Sequence, residues 1–320
     1  MAGVAGNLWT LGIGKQTVKG TANAVSTFKL KATGGNVGPQ IGTVQLSETD
    51  ASRQQGATVK VEGHVEGAPS HYLRPSSFGL ISLASLGSLA TAGAAADKTH
   101  TATPANAPTY FTLIKAISTT LVDQYKDCVC TGLSISGSAG GVITYTSSWY
   151  GLSATFGATD AAVAAETEAP LVYPQTTVTI GGSAPLTVES FTVDIANNGA
   201  AQMGDGSISP YDYAWGKLDV SGTMTLLFQN DQDYRRFFTG TTTGTQFTTT
   251  LASQSLTISM VETAIRGVDV VMAGMVTNSY GLEPDPGGDP YKAAVGFYSQ
   301  PQTAIGDYIK LITRNQTAAY

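Results

Sequence analysis

Residues 58–65 read Thr-Val-Lys-Val-Glu-Gly-His-Val, and this stretch decides the fold class. Val59, Val61 and Val65, with Gly63 between, hold every second position, and polar or charged residues fill the gaps. That is the period of a strand with one buried face, not of a helix. Residues 27–32, Thr-Phe-Lys-Leu-Lys-Ala, alternate in the same way. Outward from these, further strand-like runs lie at 110–117, 128–136 and 142–152. Others follow at 176–180, 190–196, 217–228, 245–251, 256–261 and 268–279. Clusters of Gly, Asn and Ser separate them, as turns require. Only two helices are predicted. Leu80, Leu83, Leu86 and Leu89 form one stripe of a helix that packs on a sheet. Residues 231–238 form the second, opened by Asn230 or Asp231 and closed by Gly240. The fold class is mainly β (α+β).

The 320 residues carry a formal net charge of −6, and only 12% are charged, about half the usual share. So sparse a charge guards poorly against association, so much of the surface is expected to be covered by copies of the same chain. No Lys/Arg block is present, which argues against tight binding to a phosphate backbone. The uncharged segment 75–96 is filled with Ser, Gly, Thr and Ala; it reads as a helix within the protein rather than a membrane span. Residues 1–14 lack a basic region followed by an apolar core, so no signal peptide is expected. Cys128 and Cys130 read as a buried pair of small side chains in a chain built for a reducing compartment.

Catalytic chemistry finds little support. His64, His71 and His100 are the three histidines, and no Gly-x-Ser-x-Gly elbow accompanies them. Gly12-Ile13-Gly14-Lys15 fails as a phosphate loop, because Trp9 stands where the first Gly belongs and Gln16 follows the Lys. The acidic, Pro- and Gly-rich stretch 283–289 matches no calcium loop. Arg235 and Arg236 beside Phe237 and Phe238 read as a solvent or interface face over packed aromatics. No enzyme, metal or cofactor is expected.

The chain also repeats itself in outline. Val61-Glu62-Gly63 precedes the first helix as Val220-Ser221-Gly222 precedes the second. Leu133-Ser134-Ile135-Ser136 and Tyr150-Gly151-Leu152 match Leu256-Thr257-Ile258-Ser259 and Tyr280-Gly281-Leu282. Two β domains are expected, 1–160 and 161–320, the second with a C-terminal extension. A linker or short helix is expected at 154–174. Long loops at 34–56 and 197–215 occupy matching places, and loops of that length usually have a task; contact with a neighbouring subunit is the expected one.

Gly12-x-Gly14-Lys15-Gln16-Thr17 with Gly20-Thr21-Ala22, then a strand, a long loop and Val59-x-Val61-Glu62-Gly63, resembles the opening of the tail tube protein family of long-tailed bacteriophages. Leu86-Gly87 at the helix end, Tyr125-Lys126-Asp127-Cys128 and Leu133-Ser134-Ile135 continue the likeness, and the stretch from Leu186 to Ile258 is similar to the family's second part. Residues 283–320 match it less well and read as a local elaboration.

The resemblance implies two packed antiparallel sheets, a sandwich or barrel, with a flanking helix. It implies subunits whose inner sheets join around a lumen, rings that stack, and a loop bridging to the next ring. Inter-ring candidates are Gln45, Ser47, Glu48, Asp50, Arg53, Met203, Asp205, Tyr211 and Tyr213. A weakly negative lumen would repel DNA phosphates, and its candidate carboxylates are Glu62, Glu66, Asp194, Asp219 and Asp269. A duplicated chain would need only three copies for a pseudo-sixfold ring; a six-chain ring is the alternative. The implied partners are the chain itself, a tape measure protein, tail terminator and tip proteins, and DNA in passage. The implied place is the virion, after assembly in the host cytoplasm. A capsid-decoration or baseplate/spike component is the rival reading.

Overall fold

The computed structural model describes residues 9–23, 26–47, 56–94, 97–118, 121–160, 163–182, 187–228, 231–246, 253–283 and 291–320. The first part runs β1 (Thr10–Lys15), β2 (Phe28–Leu30), β3 (Ala32–Gly34), β4 (Val37–Gln45), β5 (Thr58–Gly67), β6 (Ser70–Tyr72) and helix α1 (Pro75–Leu86). It continues with β7 (Gly87–Ala92), β8 (Lys98–Pro104), β9 (Phe111–Ala116), β10 (Val122–Ser138) and β11 (Thr144–Phe156). The second part runs β12 (Thr176–Ile180), β13 (Val188–Ala196), β14 (Ala200–Gln202), β15 (Asp212–Ala214), β16 (Asp219–Leu227) and helix α2 (Asp231–Thr239). It continues with β17 (Gln254–Thr263), β18 (Arg266–Glu283), β19 (Lys292–Ser299) and β20 (Lys310–Asn315). The fold is mainly β, as the alternation requires, and its strand pairings are antiparallel. The strand expected at 245–251 lies mostly outside the described residues.

Eight strands form one continuous sheet in the order β4–β5–β11–β10–β13–β16–β19–β18. β10 and β18 are long enough to serve a second layer as well. The first half of β10 pairs with β9, which pairs with β1. The first half of β18 pairs with β17, which pairs with β12. β20 then joins β18 to β8, and β8 pairs with β7. Eighteen strands belong to this system and seventeen described pairings join them, so the ladder branches without completing a circuit.

The pairing order of the first part recurs in the second. β1–β9–β10–β11–β5–β4 corresponds, strand for strand and in the same chain order, to β12–β17–β18–β19–β16–β13. The irregularities recur too. The break in register between Cys130 and Gly132 opposite β11 has its counterpart between Thr277 and Ser279 opposite β19. The break between Ala32 and Gly34 opposite β6 recurs between Val188 and Ser190 opposite β16. A third, where Leu113 and Phe111 face Tyr125 and Cys128, recurs where Leu256 and Gln254 face Met272 and Met275. Bulges re-aim a strand at a fixed point, so three shared bulges are a stringent match. This register corrects the short peptide matches. Leu256 takes the place of Leu113 rather than Leu133, Tyr280 takes the place of Leu133, and Gly222 takes the place of Gly67.

Other expectations are corrected as well. Most of the described residues of the loop expected at 34–56 are strand: β4 pairs with β5 along nine residues. Residues 197–215 carry the small β14–β15 ladder. Within the stretch 283–320, β19 lies in the main sheet and β20 pairs with both β18 and β8. The described residues of 157–175 contain a three-residue 3-10 turn at Tyr173–Gln175 and no α-helix.

α1 ends at Leu86, not Leu89, because Gly87 adopts φ 87° and its amide closes onto Leu83 O, the left-handed stop that glycine allows. Eleven of its twelve residues are buried, so the helix is enclosed on all sides rather than along one stripe. Its serines suit that burial, Ser82 donating to Phe78 O at 2.9 Å and Ser85 to Ser82 O at 3.1 Å. The N-terminus is capped from a distance, the Ser76 amide donating to Glu168 Oε2 at 2.8 Å, where a carboxylate suits the helix dipole. Arg266 donates to the other oxygen of Glu168, and Arg74 to its carbonyl. The segment after β11 is thereby fastened to both parts of the chain.

Candidate assembly surfaces

The eight-stranded sheet has two chemically opposite faces. One holds Trp149, Tyr145, Leu133, Ile135, Val193, Ile195, Val220, Met224, Leu226, Val295 and Phe297, all buried. The residues between them point the other way. There stand Thr144, Thr146, Ser148, Ser134, Ser136, Thr192, Ser221, Thr223 and Thr225, half-buried or exposed. The cross-strand partners Thr144↔Ser136, Ser134↔Asp194 and Asp194↔Ser221 confirm that these side chains share one face. Over β10, β13 and β16 small hydroxyl-bearing residues give a wettable surface, while toward β5 the same face carries Val129, Tyr150 and Leu152 packed under Tyr213.

Four of the five expected lumen carboxylates lie on this face. Glu66 is opposite Tyr150, Asp194 opposite Ser134 and Ser221, and Asp219 opposite Ala196; Glu62 lies four residues before Glu66 on β5. Asp194 and Asp219 are exposed. His64 lies between Glu62 at 2.9 Å and Glu66 at 3.7 Å and stacks on Tyr150 with ring centres 4.8 Å apart. Burial and the adjacent Glu62 raise the Tyr150 hydroxyl above its usual range. Asp269 is a correction. It is buried, accepts from Ser259 Oγ at 2.6 Å and pairs with Arg314, so it neutralises a cation inside the second layer. Sequence alternation placed it on a strand but gave no hint of its partner.

The expected inter-ring residues divide. Gln45 and Ser47 are exposed at the end of β4. Glu48, Asp50 and Arg53 lie outside the described residues. Met203, Asp205 and Tyr211 are exposed, Tyr211 by 73%. Tyr213 is only 6% exposed: it packs with Val129 and Leu152 and contacts the Tyr150 ring at 5.0 Å. It anchors the loop instead of projecting from it. Asp212 beside it binds Lys19 at 2.8 Å and accepts from the Tyr110 hydroxyl at 2.5 Å. Burial opposes its ionisation, yet these two donors and the Tyr213 amide hold its carboxyl below the ordinary range. The Ile208 carbonyl accepts from the Gly63 amide at 2.7 Å. The two long segments, separate in sequence, therefore meet along β5. The β4–β5 hairpin leaves Ile41, Val44, Val59 and Val61 exposed; the first two lay in a stretch read as loop, and the last two, read as the buried face of a strand, are a correction.

The remaining titratable groups have structural surroundings. His71 and His100 are buried, and burial lowers both imidazoles, His71 to about 4. Cys128 and Cys130 are buried free thiols, pushed upward by burial, Cys130 to about 12. Among the described residues there is no group of three or more His, Cys, Asp or Glu placed to hold a metal ion. No helix of the described residues is long and apolar enough to cross a membrane.

The sequence motifs that carried the resemblance also meet in space. Asp127 holds φ 55° at the β10 irregularity. Its amide donates to Gln16 Oε1 at 2.9 Å, and its carboxylate accepts from the Gly20 amide at 2.7 Å. The glycine-rich opening is thus pinned to the Tyr125–Cys128 motif. Comparison with curated proteins gives no match. The family model described as phage tail tube protein matches residues 6–305, nearly the whole chain, and the protein belongs to that family.

Proposed function

We propose that this protein is the building block of a hollow tube, assembling as rings of three chains with pseudo-sixfold symmetry and conducting DNA through the lumen. One observation carries the reading: the eight-stranded sheet is buried on one face and lined with hydroxyls and carboxylates on the other. Eight strands closed on themselves enclose only enough space for their own side chains, and small hydrated Ser and Thr side chains cannot fill that space as a core. Three chains joined edge to edge contribute three times as many strands. At a spacing of about 4.8 Å and a tilt of about 40°, their circumference is about 150 Å and the backbone diameter about 48 Å. That is wide enough for a DNA duplex.

Glu62, Glu66, Asp194 and Asp219 then give the lumen a negative field over a surface without basic clusters, so phosphates pass without binding. A tape measure protein would occupy the same lumen before DNA. Gln45, Ser47, Met203, Asp205 and Tyr211, at the hairpin end and in the second long segment, would reach the next ring. Residues 1–160 and 161–320 act as two tube domains in this reading, the repeated pairing order giving each four strands of the lumen sheet. The tube is a virion component, assembled in the host cytoplasm and completed by terminator and tip proteins.

Electron microscopy of the concentrated protein tests the proposal. The expected result is stacked rings with a lumen and three chains per ring. Six chains per ring would replace the trimer, and a decorating globule that never forms tubes would replace the tube reading with that of another virion component.

A further inference from the structure

Within one chain the two tube domains meet where the second half of β10 pairs with β13, from Gly132↔Ala196 to Ser138↔Ser190. The repeated register gives each of these strands a counterpart. β18 corresponds to β10, with Ser279 in the place of Gly132, and β4 corresponds to β13, with Gln40 in the place of Ala196. Among the described residues neither counterpart has the equivalent partner. β4 pairs with β5 alone among the described pairings. β18 pairs with β17 only as far as Met275 and β20 only as far as Val271, and beyond Met275 it is paired along one edge, with β19.

Exposure differs in the same direction at most of these positions on both sides; Val37 and Gly38, beside Lys115, are buried and are the exceptions. Ile195, buried, corresponds to Pro39, exposed; Ala196, half-buried, to Gln40, exposed. Asn197, 4% exposed, corresponds to Ile41, 61% exposed. On the other strand, buried Cys130, Leu133 and Ile135 correspond to half-buried Thr277, Tyr280 and Leu282. Half-buried Thr131, Gly132 and Ser134 correspond to exposed Asn278, Ser279 and Gly281. Each of these positions is more accessible at the free edges than at the internal junction.

We infer that the free edge of β18 adds to the free edge of β4 of a second copy of this chain, reproducing the internal junction in register, with Ser279 opposite Gln40, Gly281 opposite Gly38 and Leu282 opposite Val37. The inference rests on the tube reading, whose rings it would close. The backbone directions agree. Asn36 O accepts from the Ala68 amide within the β4–β5 ladder, so the alternating Val37, Pro39 and Ile41 positions turn their backbone groups outward. At the internal junction the Asn197 amide, in the Ile41 place, donates to Thr131 O.

The outward edge is guarded in the free chain. Pro39 offers no amide, and the Lys115 ammonium donates to Val37 O at 3.0 Å and to Asn36 Oδ1. Lysine and proline are common means of keeping an exposed strand edge from indiscriminate pairing. The junction between copies therefore forms one ladder bond fewer than the internal one, and Ile41 adds apolar burial where Asn197 adds hydrogen bonds to Ser85 O and Cys130 O.

Chains bearing Gln40→Cys are mixed with chains bearing Ser279→Cys under mild oxidation; the two buried native thiols stay out of reach. In this register the two new cysteines face each other at a position like Gly132↔Ala196, between ladder hydrogen bonds, where cross-strand side chains come close enough for a disulfide. The expected result is a covalent dimer from the mixture and none from either variant alone. Gln40→Cys mixed with Gly281→Cys, shifted by two residues, should cross-link at least tenfold less. Ile41→Asp should abolish ring formation while leaving the monomer's urea midpoint unchanged. Tubes that form without the first cross-link, or that cross-link better through the shifted pair, overturn this inference and leave the tube reading standing. Ile41→Asp chains that assemble like the parent also count against it. Absence of rings, tubes and cross-links at every concentration overturns both.

Discussion

The two helices occupy the same place in the repeated pairing order and have opposite surroundings. α1 is apolar, almost entirely buried, and covered by β7, β8, β20 and the ring of Tyr320, whose hydroxyl donates to Ser76 O at 2.6 Å. α2 is charged and amphipathic; it sets Tyr234, Phe237 and Phe238 around Tyr280 and leaves Asp231 and Arg235 paired in solvent at 2.8 Å. The difference lies in what surrounds each helix. The buried core draws on both parts, but in the first part the second half of β10 is already paired with β13. In the second part β18 beyond Met275 is paired along one edge among the described pairings, and in the proposed ring an enclosing layer there would obstruct the neighbouring copy.

The sharpest way to break this comparison is to cut equivalent side chains. Phe78, the fourth residue of α1, is fully buried, whereas Tyr234, the fourth of α2, is 41% exposed. Phe78→Ala should cost about 3–5 kcal/mol, and Tyr234→Ala about 1 kcal/mol or less, measured by urea unfolding. Equal costs would mean that α2 carries as much of the fold as α1.

The next effect is on pH dependence. Leu226 occupies the place of His71 by register, opposite Ala293 as His71 is opposite Tyr145. Burial holds His71 near 4 in the folded chain, against about 6.5 when unfolded. The unfolded chain therefore binds more protons between those values, and stability falls as pH drops from about 6.5 to about 4. The loss attributable to His71 is about 3 kcal/mol. His71→Leu should cost about 1 kcal/mol at pH 7 through the lost bond to Lys31 O, and should flatten the acid slope of the urea midpoint. An unchanged slope would assign the acid sensitivity elsewhere.

A smaller effect concerns the edge. Burial lowers the Lys115 ammonium from its ordinary range, and its counterpart by register is Ile258, which carries no donor. Lys115→Met removes the guard from Val37 O, and the concentration needed for assembly, read by sedimentation, should fall severalfold. A rise would mean that Lys115 supports the junction. The smallest effect on folding should come from Glu66→Lys with Asp194→Lys. These exposed positions should change monomer stability by about 0.5 kcal/mol or less and leave tubes intact, while lowering infectivity. Normal infectivity would remove the carboxylates from DNA passage.

Much of the strand content was legible because period-two alternation is a local property. Residues 176–180 and 217–228 show it plainly, the second with Asp219, Ser221, Thr223 and Thr225 alternating against Val220, Gly222, Met224 and Leu226. The Asp269–Arg314 pair was not legible, since 45 residues separate partners that only sheet pairing unites. Residues 37–45 were misread because Gly38, Pro39 and Gly42 disguise a strand held by its neighbour. The repeat was legible as an idea, but its register was not: short matches such as Leu133–Ser136 with Leu256–Ser259 recur by chance in any chain of hairpins, whereas three shared bulges do not.

By itself, the sequence determined a mainly β, sparsely charged protein whose strands alternate apolar and hydrophilic side chains, because burial selects residues at every second position of a strand. Only the tertiary structure decided which strands lie side by side, which carboxylates stay in water and which edges stay open. Those outcomes depend on hydrogen bonds between backbones far apart in the chain, and every backbone offers the same donor and acceptor whatever side chain it carries.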